Sequence, residues 1–289
     1  MGGTQRQSVV RVLVTALLVP AAMGLSVPAF AGPLDLHLEK FFAGTQTTAL
    51  QRVQQEGYNS LMREIGLALG PRMLGPGASG GPLGYSATFE SSWIGIHDKA
   101  EYWQKAADAP KSLVTSGQLR VRKGLPHQTH IGTVLTNLND SDLWAFGAEL
   151  GVSLIDGFKY IPDLGVRASL NTVLSNSDVD MFIVGADAAI SKSFGIAGIM
   201  TLEPWLGYSM TYTYVGTHQL LTFADENAVR PDVIVVEEFG SWGNVSEALG
   251  HRAAVGLRTV VMRAQLGAEF LRSFTDGLNV VTVKVGAEF

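Results

Sequence analysis

Residues 278–289 read Leu-Asn-Val-Val-Thr-Val-Lys-Val-Gly-Ala-Glu-Phe. With period two, Val281, Val283, Val285, Ala287 and Phe289 fall on one face, and Thr282, Lys284, Gly286 and Glu288 on the other. Such a strand needs an apolar environment on one side and a polar one on the other. A sandwich strand shows the same alternation, but this apolar row ends on a terminal aromatic, in a chain that opens with an export signal. Together these features point to an antiparallel transmembrane β-barrel.

The export signal spans residues 1–31. It carries Arg6 and Arg11, an apolar stretch at 12–19, and Ala29-Phe30-Ala31 as a small-residue cleavage site. Pro20 interrupts an apolar run already shorter than the ~20 residues that a spanning helix needs. The segment therefore reads as a cleaved signal peptide, with the mature chain starting near Gly32. Removing its two arginines, with no acid lost, moves the formal net charge from −5 to −7. Phosphate binding needs concentrated Lys and Arg, so nucleic acid is not an expected partner. With no cysteine in the chain, disulfides, thiolate metal sites and cysteine nucleophiles are excluded. The richest apolar stretch of the mature chain, 143–158, is broken by Glu149 and Asp156. Only a closed barrel lets such sequence cross a membrane with every backbone group paired.

From 48 to 69 the spacing becomes helical: Leu50, Val53, Leu61, Met62, Ile65 and Leu69 recur at steps of three and four, opposite Gln51, Arg52, Gln55, Glu56 and Arg63. Thr48 with Gln51 makes a capping box. The preferred reading is an amphipathic helix resting on the membrane interface or the barrel end; a plug inside the barrel and a lid on its mouth are the alternatives. A strand over 64–72 competes, since Ile65, Leu67 and Leu69 also alternate. The Gly/Pro-dense stretch 70–82 reads as a connection. Residues 32–83 are thus expected to form a periplasmic segment ahead of a barrel spanning 84–289.

Ten strand-like segments follow, at 84–97, 112–122, 128–138, 143–155, 163–174, 180–193, 201–215, 248–258, 262–273 and 278–289. Several repeat the two-faced pattern. In the fourth, Trp144, Phe146, Ala148, Leu150, Val152 and Leu154 oppose Gly147, Glu149, Gly151 and Ser153. The longest connections, 97–111 and 216–247, fall on the same side of an even-stranded barrel, as extracellular loops should. About ten strands are expected, within a range of 8–12. Twelve would follow if 64–72 and 233–239 both joined the sheet.

Five short runs, Lys123-Gly124-Leu125-Pro126, Asp142-Leu143-Trp144, Pro162-Asp163-Leu164-Gly165-Val166-Arg167, Ser191-Lys192-Ser193-Phe194-Gly195-Ile196 and Pro204-Trp205-Leu206-Gly207, occur in that order. In this they resemble an uncharacterised outer-membrane β-barrel family of myxobacterium-like Gram-negative bacteria. The resemblance covers about residue 64 to the end and lies at turns and strand starts. It implies an outer-membrane barrel and brings no catalytic residues or cofactor with it.

Charges of both signs lie on the polar faces: Glu90, Arg120, Arg122, Glu149, Arg167, Asp187, Glu203, Arg252, Arg258, Arg263, Glu269, Lys284 and Glu288. In a narrow barrel such groups pair and fill the lumen; in a wide one they set ion preference. Arg252, Arg258 and Arg263 would repel unless carboxylates such as Glu269 and Glu288 intervene. His97-Asp98, and His218 with Asp225 and Glu226, fall on the outer rim, where an omptin-like hydrolase would activate water, but no pair is fixed by spacing. No metal-ligand register or cofactor motif is present. The expected function is a non-enzymatic outer-membrane barrel with a narrow, charge-lined lumen, serving passive solute passage or envelope integrity. The alternatives are a surface-binding or adhesion barrel working through 216–247, a hydrophobic-solute transporter, and a rim hydrolase. Outer-membrane lipid, lipopolysaccharide and the barrel-insertion machinery are the expected partners, the last reading Phe289 as its assembly signal.

Overall fold

The computed structural model describes residues 32–37, 48–72, 75–77, 81–174, 179–217, 221–223, 232–234, 239–240 and 248–289; in 48–54, 179, 217, 221–223 and 232–234 only the backbone is described. All of them belong to one compact unit, Gly32–Phe289. The export signal therefore lies outside the described residues, as do the Thr48 and Gln51 side chains of the capping box.

In chain order the elements are α1 (Thr48–Leu69), β1 (Tyr85–Gly95), α2 (Glu101–Ala106), β2 (Leu113–Leu125), β3 (Thr129–Leu138), β4 (Trp144–Ile155), β5 (Asp163–Val173) and β6 (Val179–Ser191). They continue with β7 (Phe194–Ile196), β8 (Met200–Thr217), β9 (Leu221–Phe223), β10 (Asp232–Ile234), β11 (Leu249–Val261), β12 (Ala264–Ser273) and β13 (Asn279–Glu288). The main sheet has eleven strands, of which β7 is a short flap paired only with β8. The other ten form a closed antiparallel ring in the order β1-β2-β3-β4-β5-β6-β8-β11-β12-β13, sealed by β13 against β1. Neither segment that a twelve-stranded ring would add forms a ring strand among the described residues. Ile65, Leu67 and Leu69 lie on α1; of 233–239, the described part of β10 pairs with β9, and Phe239 makes an isolated bridge to Val215 of β8.

Ring closure fixes the register of the terminal strand, with Phe89 opposite Val285 and Trp93 opposite Val281. The period-two rows then sort by side. Leu150, Leu206, Leu266 and Val285 are all more than half exposed on the outside, whereas Glu90, Glu149, Ser209 and Thr282 are buried within. Exposed aromatics mark both ends of the outer surface: Trp93, Trp144 and Phe182 at one, Tyr85, Phe158 and Phe289 at the other.

The two ends differ. One carries the connections 96–112, 139–143, 174–178, 218–248 and 274–278, the two longest among them; the other carries the links 126–128, 156–162, 192–199 and 262–263, together with the β1–β13 seam. These are called the loop end and the turn end below.

In the segment expected to precede the barrel, residues 32–37 lie at the loop end, and 55–72 and 75–77 lie inside the lumen. At the loop end, Leu34 N donates to Asp140 O (3.0 Å) and His37 N to Ala106 O (2.8 Å). Helix α1 then descends into the barrel, burying Tyr58, Leu61, Met62, Ile65 and Leu69 against Ile94, Val114, Leu138, Ile183, Leu271 and Val280 of the inner wall. This overturns the seat at the membrane interface or barrel end. The inward row next to the loops is apolar, with Ile94, Val114, Leu138, Met181, Val215 and Val280 all buried, so the greasy face of the helix is better covered inside than at a rim. Gly66 allows the close approach: a Cβ there would lie 2.7 Å from Thr213 Oγ1 on β8. Past α1 the described residues 70–72 and 75–77 form a non-helical thread. Gly77 presses on β5 and β6, where a Cβ would stand 2.6 Å from Gly165 N and 2.7 Å from Ala189 O. Ser153 Oγ donates to Gly77 O (2.6 Å) before the thread leaves at the turn end to start β1.

The contact between Gly77 and Gly165 leaves no room for a side chain. Gly165→Val should push the thread off the wall and cost about 1–3 kcal/mol, as overpacking does. Urea denaturation should show the loss, and limited proteolysis should open cleavage near residue 77.

Candidate functional site in the barrel lumen

The turn-end half of the lumen is polar, and its charges are built from strand register. Glu90 on β1, Arg120 and Arg122 on β2, Glu149 on β4, Arg167 on β5 and Asp187 on β6 project inward at neighbouring heights. Arg120 Nε bonds Glu90 Oε1 at 2.9 Å. Glu149 receives Arg120, Arg122 and Arg167, the last at 2.9 Å. Arg167 Nε also bonds Asp187 Oδ2 at 2.8 Å. Three carboxylates thus meet three guanidinium groups in one belt across five strands. On the intervening β3, Gly132 stands opposite Glu149, where a Cβ would come within 2.7 Å of the carboxylate. Such desolvated charges are tolerable only when paired and hydrogen-bonded, as these are.

The belt also grips the thread. Arg167 Nη2 donates to Arg72 O (2.5 Å) and Arg120 Nη2 to the same oxygen (3.3 Å). The Arg72 side chain turns back to cap α1, donating to Leu67 O (2.5 Å) and Ala68 O (2.9 Å), while Asn171 Nδ2 reaches Leu69 O (3.0 Å) and Gln118 Nε2 reaches Gly70 O (3.4 Å). Carbonyls orphaned at a helix end inside the barrel are thereby satisfied by side chains. Gly70-Pro71 ends the helix at this level, since proline cannot continue it.

At the loop end a second carboxylate fastens the helix to the roof. Glu64, only 2% exposed, accepts from His97 N (3.2 Å), Tyr102 Oη (2.7 Å) and Trp103 Nε1 (2.7 Å), and lies 2.6 Å from His97 Nδ1. All three residues belong to the β1–β2 connection. Arg63 Nε bonds Asp276 Oδ1 (3.1 Å) on the β12–β13 connection. Burial, with the Glu64 carboxylate second, raises the Tyr102 phenol above its ordinary range.

The remaining charges expected in the lumen are less uniform. Glu203, Arg252, Glu269 and Lys284 are buried inside. Arg252 Nη2 donates to Ser209 Oγ (2.9 Å). Arg258 lies 3.6 Å from Glu203 Oε2 and donates to Glu288 (3.1 Å), so Glu288 does stand beside an arginine. Arg263 sits on the exposed β11–β12 turn, its guanidinium 5.7 Å from the centre of the Phe289 ring. The backbone of Phe289 pairs with Tyr85 across the seam while its ring is exposed. Below the plug, a vestibule of about 400 Å³ opens among Arg122, His130, Arg258, Lys284, Glu288 and Pro76. Two further cavities, of about 30 and 20 Å³, flank the thread and helix.

Glu64, Arg72, Gln118 and Asn171 were not singled out in the sequence. For Arg72 a signal exists: a cation directly after Gly70-Pro71, where helix carbonyls need donors. His97, a candidate for water activation, is engaged by Glu64, while His218, Asp225 and Glu226 lie outside the described residues. Among the described residues no three histidine or carboxylate side chains gather as a metal site would require.

No family model matches the chain, and no curated protein matches it in sequence. Solved structures of barrel proteins do align with it. The KdgM porin is 10% identical, covering 71% of this chain and 99% of its own, with a TM-score of 0.32. The β domain of the Bordetella autotransporter BrkA is 9% identical, covering 71% and 98%, with a TM-score of 0.42. The Acinetobacter baumannii outer membrane protein Omp33 is 8% identical, covering 72% and 98%, with a TM-score of 0.28. At scores this low the architecture rests on the chain's own strand pairing.

Glu149→Ala would leave three guanidinium groups with too few counter-charges and should destabilise the barrel by about 3–5 kcal/mol, read from the urea midpoint. At the roof, a phenol whose ionisation is raised on folding stabilises fully below the ordinary tyrosine range, near pH 10, and that contribution is lost as pH rises further. Proteolysis of the β1–β2 connection should therefore accelerate at strongly alkaline pH, and Tyr102→Phe should flatten that dependence.

Proposed function

We propose that this chain is an integral outer-membrane barrel, not an enzyme, that is closed at rest by its own N-terminal segment and serves envelope integrity. The membrane reading is supported by a ring without open edges whose outward rows are apolar and whose two ends carry exposed aromatics, the form in which a sheet can sit in lipid. Lipid and lipopolysaccharide then cover Leu150, Leu206, Leu266 and their neighbours, and the insertion machinery reads the terminal Phe289.

Of the two roles open from sequence, solute passage and envelope integrity, the filled lumen favours the second. The carrying observation is the Arg72 carbonyl held by Arg120 and Arg167 in mid-barrel, with α1 packed above it. A ten-stranded ring is only slightly wider than the eight-stranded barrels that side chains alone can fill, so one helix and the non-helical thread after it suffice to close it.

In planar bilayers the full chain should be electrically silent, and a variant lacking residues 32–77 should give discrete conductance steps. Steps from the full chain would overturn the closed state. The full chain should also migrate faster on detergent gels unboiled than boiled; identical mobility would overturn the membrane-barrel reading.

A further inference from the structure

The direction in which the thread runs carries a consequence for topology that rests on the membrane reading above. Short links and the terminal seam belong to the periplasmic end of such barrels, and long connections to the outer end. The loop end then faces outward, and it is there that the described chain begins.

Residues 32–37 are integrated into that end. Besides the bonds of Leu34 and His37, Ala109 N donates to Pro33 O (3.2 Å), Asp142 N donates to Asp35 Oδ1 (2.9 Å), and His37 Nε2 lies 3.2 Å from Asp108 Oδ2. Every one of these partners lies on the β1–β2 or β3–β4 connection. At the opposite end the thread emerges past Gly77, which is bound to Ser153 and Ser191 at 2.6 and 3.1 Å. It then reaches Gly84, whose carbonyl accepts from Gly124 N (2.9 Å), and enters the seam strand β1. The segment therefore starts outside and ends inside the periplasmic mouth, so only its exit lies on the periplasmic side.

We propose that the barrel conducts its own N-terminal segment through its lumen to the cell surface and anchors it there, with residues 32–37 forming part of an outward-facing cap together with α2 and the β3–β4 connection. The lumen suits such a passenger. Its polar half offers donors to backbone carbonyls, as at Leu69, Gly70 and Arg72, and its apolar half accepts the helix.

The absence of cysteine makes single-cysteine labelling free of background. His37→Cys reports on the thread, Lys111→Cys on the loop end and Tyr160→Cys, at an 87% exposed position, on the turn end. A membrane-impermeant maleimide applied to intact cells carrying each full-length variant should label H37C and K111C to similar extents, and Y160C only after the outer membrane is permeabilised. Labelling of K111C on intact cells with H37C labelled only after permeabilisation would overturn the proposal while leaving the barrel reading in place. Labelling of Y160C but not K111C on intact cells would overturn it by reversing the barrel. If all three label only after permeabilisation and the protein lacks heat-dependent mobility, the membrane reading itself fails. Should H37C resist reagent under both conditions, the double variant H37C/D108C decides. A disulfide formed in native membranes supports the loop-end anchorage, and its absence overturns it.

Discussion

A ring of ten strands encloses slightly more space than inward-facing side chains can fill unaided, and the rest of this structure follows from how that space is occupied. The loop-end half is filled by apolar packing of α1 against residues such as Ile94, Ile183 and Val280. The turn-end half is filled by charge, with Glu149 at the centre of three arginines. The division is physically economical. A helix has no backbone groups to offer the wall along its length, so greasy contacts suit it, whereas the non-helical thread exposes its carbonyls and needs donors.

Arg120 and Arg167 tie the two halves together. Each neutralises wall carboxylates and also donates to the carbonyl of Arg72, so the belt and the thread share the same hydrogen-bond donors. Arg72 closes the arrangement by using its own side chain on the last carbonyls of α1. The plug is thus not a loose insert lying in a finished pore. Removing it would leave guanidinium groups short of acceptors in a half-buried place, which is costly.

The barrel was legible because lipid-facing strands must be apolar at every second position. In β4, Trp144, Phe146, Leu150 and Leu154 alternate with small or polar residues, and the last strand's own alternation assigned Val281, Val283 and Val285 to one face. The position of α1 was not legible. Ile65 and Leu69 satisfy both helical and strand periods while Leu67 fits the strand period, and all three are buried, so neither pattern alone shows what surrounds them. Nor does period two distinguish an inward Ile94 or Val114 in the apolar half from an inward Glu90 or Arg120 in the charged half. That distinction appears only once the neighbouring strands set heights along the barrel axis. The grip on the helix end was equally hidden, because Asn171 and Gln118 become partners of Leu69 and Gly70 only through ring geometry.

The closed seam between β1 and β13 encircles a stretch of the same polypeptide that leads directly into β1. A cord through a closed hoop can be withdrawn only by its free end. Once the last strand has zipped onto the first, the stretch from Glu64 at the roof to Gly77 can leave only by retracing the bore, roof latch first and belt last. Assembly therefore has an order: either the segment is already lying in the half-formed trough when the hoop shuts, or its free end passes through afterwards. Undoing the product requires opening the hoop or reversing that passage. The molecule's persistence is then governed by an escape route, in addition to the sum of its contacts.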